Sequence, residues 1–416
     1  MNCIRRFVLF ALVAVASICG AHAQDKQMTV RIGWNALAGA APISVVMQEE
    51  KLFEKHAKNF GYEITTEWTR FTAGPPANEA FVAGRLDLDM DVASAAYVAR
   101  IKQEVPVILI GTQASHLSNA IMVRPGGNVK EVADLEGKTI GLFANTSAHY
   151  TLASIVKEHL GKSLREANIK IVNMSPSESV KMPQGLDAAV IWVPFQFMGP
   201  HLGLSELLID ANGLTGKGHS GPLRQVDEVK KAWGYPEGYF TDRLYISARK
   251  QFVESDPNLA VAFLLARWEA QDIIAGNFTR AVALANELWK LPAQVTELAV
   301  ATYPENTNIR NAPILLEYDA LALIKTSEFF HDLGTISTPL TWAELGAVMR
   351  PGADIQKKAW ELRGSQPSVE QLVAGFKGSA PGWPSIIING GEPVWRIEQV
   401  KDWGSRRYVA EPFGRK

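Results

Sequence analysis

The chain has 416 residues, of which 47% are hydrophobic, enough apolar material for layered cores in two domains and too much for a disordered chain. Its 42 Lys and Arg against 43 Asp and Glu leave a formal net charge of −1, which argues against nucleic acid or an anionic membrane surface as the main partner. A small molecule is the better match to that balance.

The first 23 residues read as a secretory signal peptide. Arg5 and Arg6 precede an apolar run from Phe7 to Ile18, and Ala21-His22-Ala23 supplies the small-residue pattern for cleavage before Gln24. The run is too short to span a bilayer, and no later segment is long and apolar enough, so an exported chain without membrane insertion is expected. The two cysteines, Cys3 and Cys19, both fall in this segment. The remaining chain therefore offers no disulfide, no thiolate nucleophile and no cysteine metal ligand. Lipidation of Cys19 is the rival reading, and the bulky Ile18 before it disfavours that.

From Met28 onward short apolar strands alternate with amphipathic helices, the pattern of an α/β sheet. The first series is strand Thr29–Trp34, helix Ile43–Lys58, strand Glu63–Trp68, helix Pro76–Ala83, strand Leu86–Val92, helix Ala95–Gln103 and strand Val105–Gly111. A second series follows Ser118–Val123: strand Thr139–Ala144, helix Ala148–Leu160, strand Ile169–Val172, helix Ser177–Met182 and strand Ala188–Trp192. The glycine-rich NGLTGKGHSG after Ala211 lacks the Ser or Thr that a phosphate loop needs after Lys217, and reads as a connector. The chain then returns to strand at Leu244–Ala248 and to a long helix from Pro257 to Gly276. Beyond Pro339 lies a tryptophan-rich tail with a candidate hairpin at Asn389-Gly390.

The segment LEGKTIGLFANTSAHYTLASIVKEHL, Leu135 to Leu160, is the most informative. A strand runs through Asn145, Thr146 and Ser147 into a helix whose first-turn amides, Ser147 to Tyr150, lack intrahelical partners. A carboxylate, sulfonate or similar oxyanion fits there. Ligands of open α/β sheets bind beyond the carboxyl ends of strands, which brings Trp34, Gly74, Pro75, Ser94, Ser147 and Trp192 to one cleft. The two tryptophans would supply an apolar wall. His149, in the first turn, either bonds the oxyanion or is simply solvated. Arg243, in GYFTDRLYIS, is either a charge partner for a bound acid or part of a structural ion pair. Asp87, Asp89 and Asp91 alternate with apolar residues but miss the calcium-loop pattern, and are expected on a solvated or hydrogen-bonded strand face, with Asp91 nearest a ligand's cationic group. No HExxH motif or other zinc spacing, and no GxSxG elbow, is present.

Four segments together resemble the aliphatic sulfonate, taurine and nitrate-type solute-binding proteins of bacterial ABC importers: VRIGW with AAPISVV (Val30 to Val46), AGPPANEAFVAGRLD (Ala73 to Asp87), ADLEGKTIGLFANTSAHYTL (Ala133 to Leu152) and LDAAVIWVPF (Leu186 to Phe195). The resemblance implies an α/β, type II periplasmic binding protein fold of two lobes joined by two crossovers. Lobe I would comprise residues 24–117 and 241–338, lobe II residues 118–240, with a C-terminal extension over residues 339–416. It implies cleft residues Trp34, Gly74, Pro75, Ser94, Thr146, Ser147, His149 and Trp192, hinges at Gln113–Ala120 and Gly216–Arg243, and no catalysis. The expected ligand is a small organic anion, a sulfonate or carboxylate of bulkier or aromatic type. The expected partners are an inner-membrane permease and its ATPase, met in the periplasm by a monomer that needs no cofactor and no metal. Departures from the family pattern are Val193 where Asp is common, and Val92-Ala93 where Gly is common. The alternatives are an enzyme on the same fold acting on a sulfinate or pyrimidine-type compound, and a ligand sensor for a membrane receptor. The known enzymes of this kind use a cysteine, which the chain after Cys19 lacks.

Overall fold

The computed structural model describes residues 26–114, 119–211, 244–302, 315 and 317–363. The signal segment 1–23, the return hinge with Arg243, and the tail hairpin lie outside these residues.

The strands are β1 (Lys26–Asn35), β2 (Tyr62–Phe71), β3 (Leu88–Val92), β4 (Val107–Ala114), β5 (Asn119–Val123), β6 (Thr139–Leu142), β7 (Lys170–Asn173), β8 (Ala188–Trp192), β9 (Glu206–Asp210) and β10 (Leu244–Arg249). They form two five-stranded sheets, ordered β2-β1-β3-β10-β4 and β7-β6-β8-β5-β9. In the first, β1 is parallel to β2 and β3, and the returning β10 inserts antiparallel between β3 and β4. In the second, β6 is parallel to β7 and β8, and β5 runs antiparallel to β8 and β9. The chain thus leaves the first sheet after β4 and re-enters it at β10, and each sheet is the centre of one lobe.

The helices in chain order are α1 (Ala41–Glu49), α2 (Leu52–Lys58), α3 (Gly74–Val82), α4 (Ser94–Lys102), α5 (Ser147–Leu160), α6 (Pro176–Ser179), α7 (Met198–His201), α8 (Lys250–Ser255), α9 (Pro257–Ala275), α10 (Phe278–Trp289), α11 (Ala293–Thr302), α12 (Glu317–Asp332) and α13 (Trp342–Leu362). The single helix expected over Ile43–Lys58 is two, because Lys51 adopts a left-handed φ of 49° and turns Leu52 and Phe53 into the core. Helix α5 ends as its sequence suggests, on Gly161 at φ 67°. Helix α9 is buried nearly all round, from Leu259 to Ile274, and forms the centre of the lobe I core. A separate apolar cluster built on Ile140, Leu152, Ile155 and Val190 fills lobe II.

Packing does not break at residue 338. Thr341 and Glu344 form a capping box that starts α13, and the helix lies on β4 and α9 with Leu345, Met349 and Ala353 buried. Trp360 meets Trp268 edge-on at 5.6 Å. The first part of the expected extension is therefore a core helix of lobe I. Close approach depends on Gly352, where a Cβ would overlap the Leu109 carbonyl of β4. Gly352→Ala is expected to force α13 off the sheet and to lower the melting temperature by several degrees. An unchanged thermal unfolding curve would contradict this packing.

The acidic alternation in β3 is also not a solvated face, since every residue of the strand is buried. Sheet pairing on both edges and helices on both faces seal it, so each carboxylate needs its own partner. Asp87 takes Arg31 (Nη2 to Oδ1 2.7 Å), Asp89 takes Arg100, and Asp91 reaches the interlobe space.

Candidate functional site

A cavity of about 230 Å³ lies between the lobes. Its lobe I wall comes from Asn35 at the end of β1, Gly74, Pro75 and Asn78 of α3, Asp91 and Val92 ending β3, the alanines around the start of α4, and Leu244 opening β10. Phe330, Thr335 and Ile336, at and beyond the end of α12, close one side. Lobe II contributes Asn145, Thr146, Ser147 and Trp192. Most of these positions follow carboxyl ends of parallel strands, where side chains converge without a neighbouring strand to cover them.

Of the residues expected at the cleft, Gly74, Pro75, Thr146, Ser147 and Trp192 line the cavity. Trp34, Ser94 and His149 do not. The Trp34 side chain packs in the lobe I core, and its neighbour Asn35 takes the cavity position. Ser94 is buried with its Oγ 2.7 Å from Thr326 Oγ1, tying α4 to α12. His149 accepts a long hydrogen bond from the Asn145 amide at Nδ1 (3.4 Å) and sets its ring against Phe329, with centroids 5.3 Å apart. It is thus neither solvated nor at the cavity wall. Arg243 lies outside the described residues, next to the lining residue Leu244. The aromatic and aliphatic lining that joins Trp192 comes from Phe330 and Ile336 rather than from a second tryptophan. Asn35, Asn78, Phe330 and Ile336 were not singled out by sequence reasoning, and Asn145 was read as part of the turn into α5 but not as a cavity residue. An Asn at a strand end was the available signal for Asn35, while nothing local marks Phe330.

The α5 terminus differs from the expected cap in a useful way. Thr146 is the N-cap, yet its hydroxyl donates to the Phe143 carbonyl at 2.6 Å, and no side chain caps the helix. Ser147 Oγ donates to Asn119 Oδ1 at 3.5 Å. Asn145 holds φ 58°, which turns the strand sharply into the helix. Of the four first-turn amides expected to lack partners, those of His149 and Tyr150 donate to the Thr146 carbonyl (3.1 and 3.2 Å), which leaves the Ser147 and Ala148 amides, with no side-chain cap, as the ones an oxyanion could take.

Two buried groups set the pH response. Burial pushes the Asp91 carboxyl up to about 8, against attraction from Arg267. Burial lowers His149 to about 4, keeping it neutral at ordinary pH. For Asp91, whose native pKa is raised, the stabilising contribution is present below the unfolded value near 4 and is lost as pH rises through 8. For His149, with a lowered native pKa, stability is present above about 6.5 and is lost as pH falls toward 4. Asp91→Asn is expected to raise the melting temperature more at pH 8 than at pH 5. Equal effects at the two values would contradict the buried, protonated carboxyl.

The comparisons agree with this architecture. The alkanesulfonate-binding protein SsuA from Xanthomonas axonopodis pv. citri, solved bound to MOPS, superposes with a TM-score of 0.57 over 75% of this chain and 95% of its own, at 18% identity.

This chain has the periplasmic binding protein fold.

A family model described as NMT1/THI5 like matches residues 78–277, just under half of this chain. A Bacillus subtilis (strain 168) protein named for binding aliphatic sulfonates is 26% identical over 197 residues, 45% of this chain and 56% of that protein. The match thus spans little more than half the relative's length. A further structure of the same fold, DSZB in complex with biphenyl-2-sulfinic acid, aligns at 12% identity with a TM-score of 0.53, covering 80% of this chain and 99% of that one. At these identities the solved structures establish the fold alone.

Proposed function

We propose that this protein is the exported solute-binding component of an ABC importer, which closes two lobes on a small organic anion and delivers it to a permease and ATPase. The observation that carries the reading is the cavity itself, whose wall is shared between lobe I and the Asn145–Ser147 turn and Trp192 of lobe II. A ligand touching both lobes favours their approach by its differential affinity for the closed form. The uncapped amides of α5 suit the acidic end, and Trp192, Phe330 and Ile336 suit an apolar body. The binding proteins among the relatives support the same class, and the export signal read at residues 1–23 supports a periplasmic location. No helix among the described residues is long and apolar enough to cross a membrane. An enzymatic role of the sulfinate-cleaving kind would need a nucleophile, and the chain has no cysteine after Cys19.

The reading is tested by thermal unfolding of the protein, freed of carried-over ligand, against alkyl and aryl sulfonates, carboxylates and nitrate. A melting temperature that climbs with the concentration of one chemical group, with that compound recovered intact, is expected. Turnover of the compound would overturn it.

A further inference from the structure

Two asparagines of lobe I line the cavity, and in both the amide has one allowed orientation. Asn78, on α3, accepts from Arg100 Nε at its Oδ1, 2.8 Å away. A guanidinium has N–H donors and no acceptor, so the Asn78 oxygen must face it and the Nδ2 must turn away. Arg100 is in turn fully buried and held by Asp89 and by Ser247 Oγ (2.8 Å). Asn35, at the end of β1, is fixed in the same way. Its Oδ1 accepts from the Leu37 backbone amide at 3.0 Å, a group that can only donate. Neither Nδ2 has a hydrogen-bond partner among the described residues.

The charge of this wall narrows what the two donors can meet. Among the described residues it holds no lysine, arginine or histidine. Asp91 accepts from the Ser44 hydroxyl (3.4 Å) and from the Asn35 backbone amide, and burial pushes its carboxyl up to about 8. It is therefore chiefly uncharged at pH 7 and calls for no cation. A second anionic group on the ligand would lose its hydration here without gaining a counter-charge. A neutral carbonyl oxygen needs only N–H donors, and its two lone pairs match two of them.

Resting on the binding reading above, we infer that Asn78 and Asn35 are specificity-determining donors, and that the preferred ligand is an organic acid bearing a neutral carbonyl group at its far end. The acid group meets the Ser147 and Ala148 amides on lobe II, and the carbonyl oxygen takes the asparagine Nδ2 groups on lobe I. Arg100 is a positioning residue: it does not touch the ligand, but it denies Asn78 the flipped amide that would offer an oxygen instead. A plain acid would leave both donors without a ligand acceptor, and an amino group would set N–H against N–H.

The test is calorimetric titration at pH 7 with matched pairs in which one methylene becomes a carbonyl: pentanoate against 4-oxopentanoate, butane-1-sulfonate against 3-oxobutane-1-sulfonate, and 4-ethylbenzoate against 4-acetylbenzoate. The wild-type protein is expected to bind the carbonyl member of a pair at least about fivefold more tightly. Asn78→Asp keeps an oxygen for Arg100 and replaces the donor by an acceptor, so that ratio is expected to fall at least about threefold. Asn35→Asp does the same at the second donor, and melting curves check the folding of both variants. A purely structural role, or the added charge, would shift both members of a pair alike and leave their ratio unchanged. A wild-type protein that binds the two members of every pair equally overturns the inference while leaving the binding reading standing, and this arm needs no variant. Variants that both keep the full preference overturn it as well. Binding of no pair member by the wild type would defeat both.

Discussion

Arg100→Met is expected to destabilise the protein by about 3–5 kcal/mol, more than any other single change considered for this fold. The Arg100 guanidinium is fully buried and bonds Asp89, Asn78 Oδ1 (2.8 Å) and Ser247 Oγ (2.8 Å), stacked 4.0 Å over the Phe81 ring. Burial alone drives the Asp89 carboxyl upward, and Arg100 is what pulls it back. Removing the cation leaves a sealed carboxyl that must take up a proton or unfold the strand around it. Asp89→Asn added to Arg100→Met is expected to recover much of the loss, because an amide needs no counter-charge. The check is urea unfolding of the single and double variants. A single variant of wild-type stability, or a double variant weaker than the single one, would contradict the assignment. The same change frees Asn78, a cavity residue, so ligand affinity is expected to fall with it.

Trp192→Ala is expected to weaken ligand binding by about tenfold to a hundredfold with little loss of stability, since the indole is only half-buried and spends its exposed face on the cavity. Removing it opens the lobe II wall to water and strips Phe330 and Ile336 of their apolar companion around the ligand. Ser147→Ala, which deletes a hydroxyl from the α5 opening, is expected to cost about threefold to tenfold. The measurement is the dissociation constant of the tightest ligand from the unfolding panel, taken by titration for both variants. Unchanged affinity in both would remove the site from this cleft.

Much of the fold was legible because local pattern and global arrangement agree. Strands of β-branched and aliphatic residues followed by three-to-four spaced helices announced α/β lobes, and small polar residues marked the turn into α5. The Gly74-Pro75-Pro76 start of α3 was readable for the same reason, since proline suits a first helical turn. What escaped depended on contacts far apart in the chain. Trp34 sits at a strand end in sequence, but both faces of β1 are covered, so alternation could not say whether Trp34 or Asn35 faces the ligand. Ser94 and His149 stand in first turns that look alike, yet α12 covers both, with Thr326 on one and Phe329 on the other. The alternation of Asp87, Asp89 and Asp91 with apolar residues left a solvated and a hydrogen-bonded face equally readable, and the structure has the second, with Arg31 on Asp87, Arg100 on Asp89 and the Ser44 hydroxyl on Asp91. The tail helix α13 was hidden by Pro351 within it, and by its reliance on a close contact between Gly352 and β4, which lies far back in the chain.

The lobes meet outside the cavity through Tyr150 of α5 and Phe329 of α12, whose rings lie 5.2 Å apart. That contact belongs to the approached form of the two lobes, and a ligand bridging the cavity would favour it. The most direct measurement of the central claim is small-angle X-ray scattering of the protein with and without the tightest ligand of the sulfonate and carboxylate panel. A smaller radius of gyration at saturation, at one ligand per chain, is the expected result. Saturable binding with an unchanged radius, or binding that survives loss of both Trp192 and Ser147 side chains, would contradict a ligand held between closing lobes.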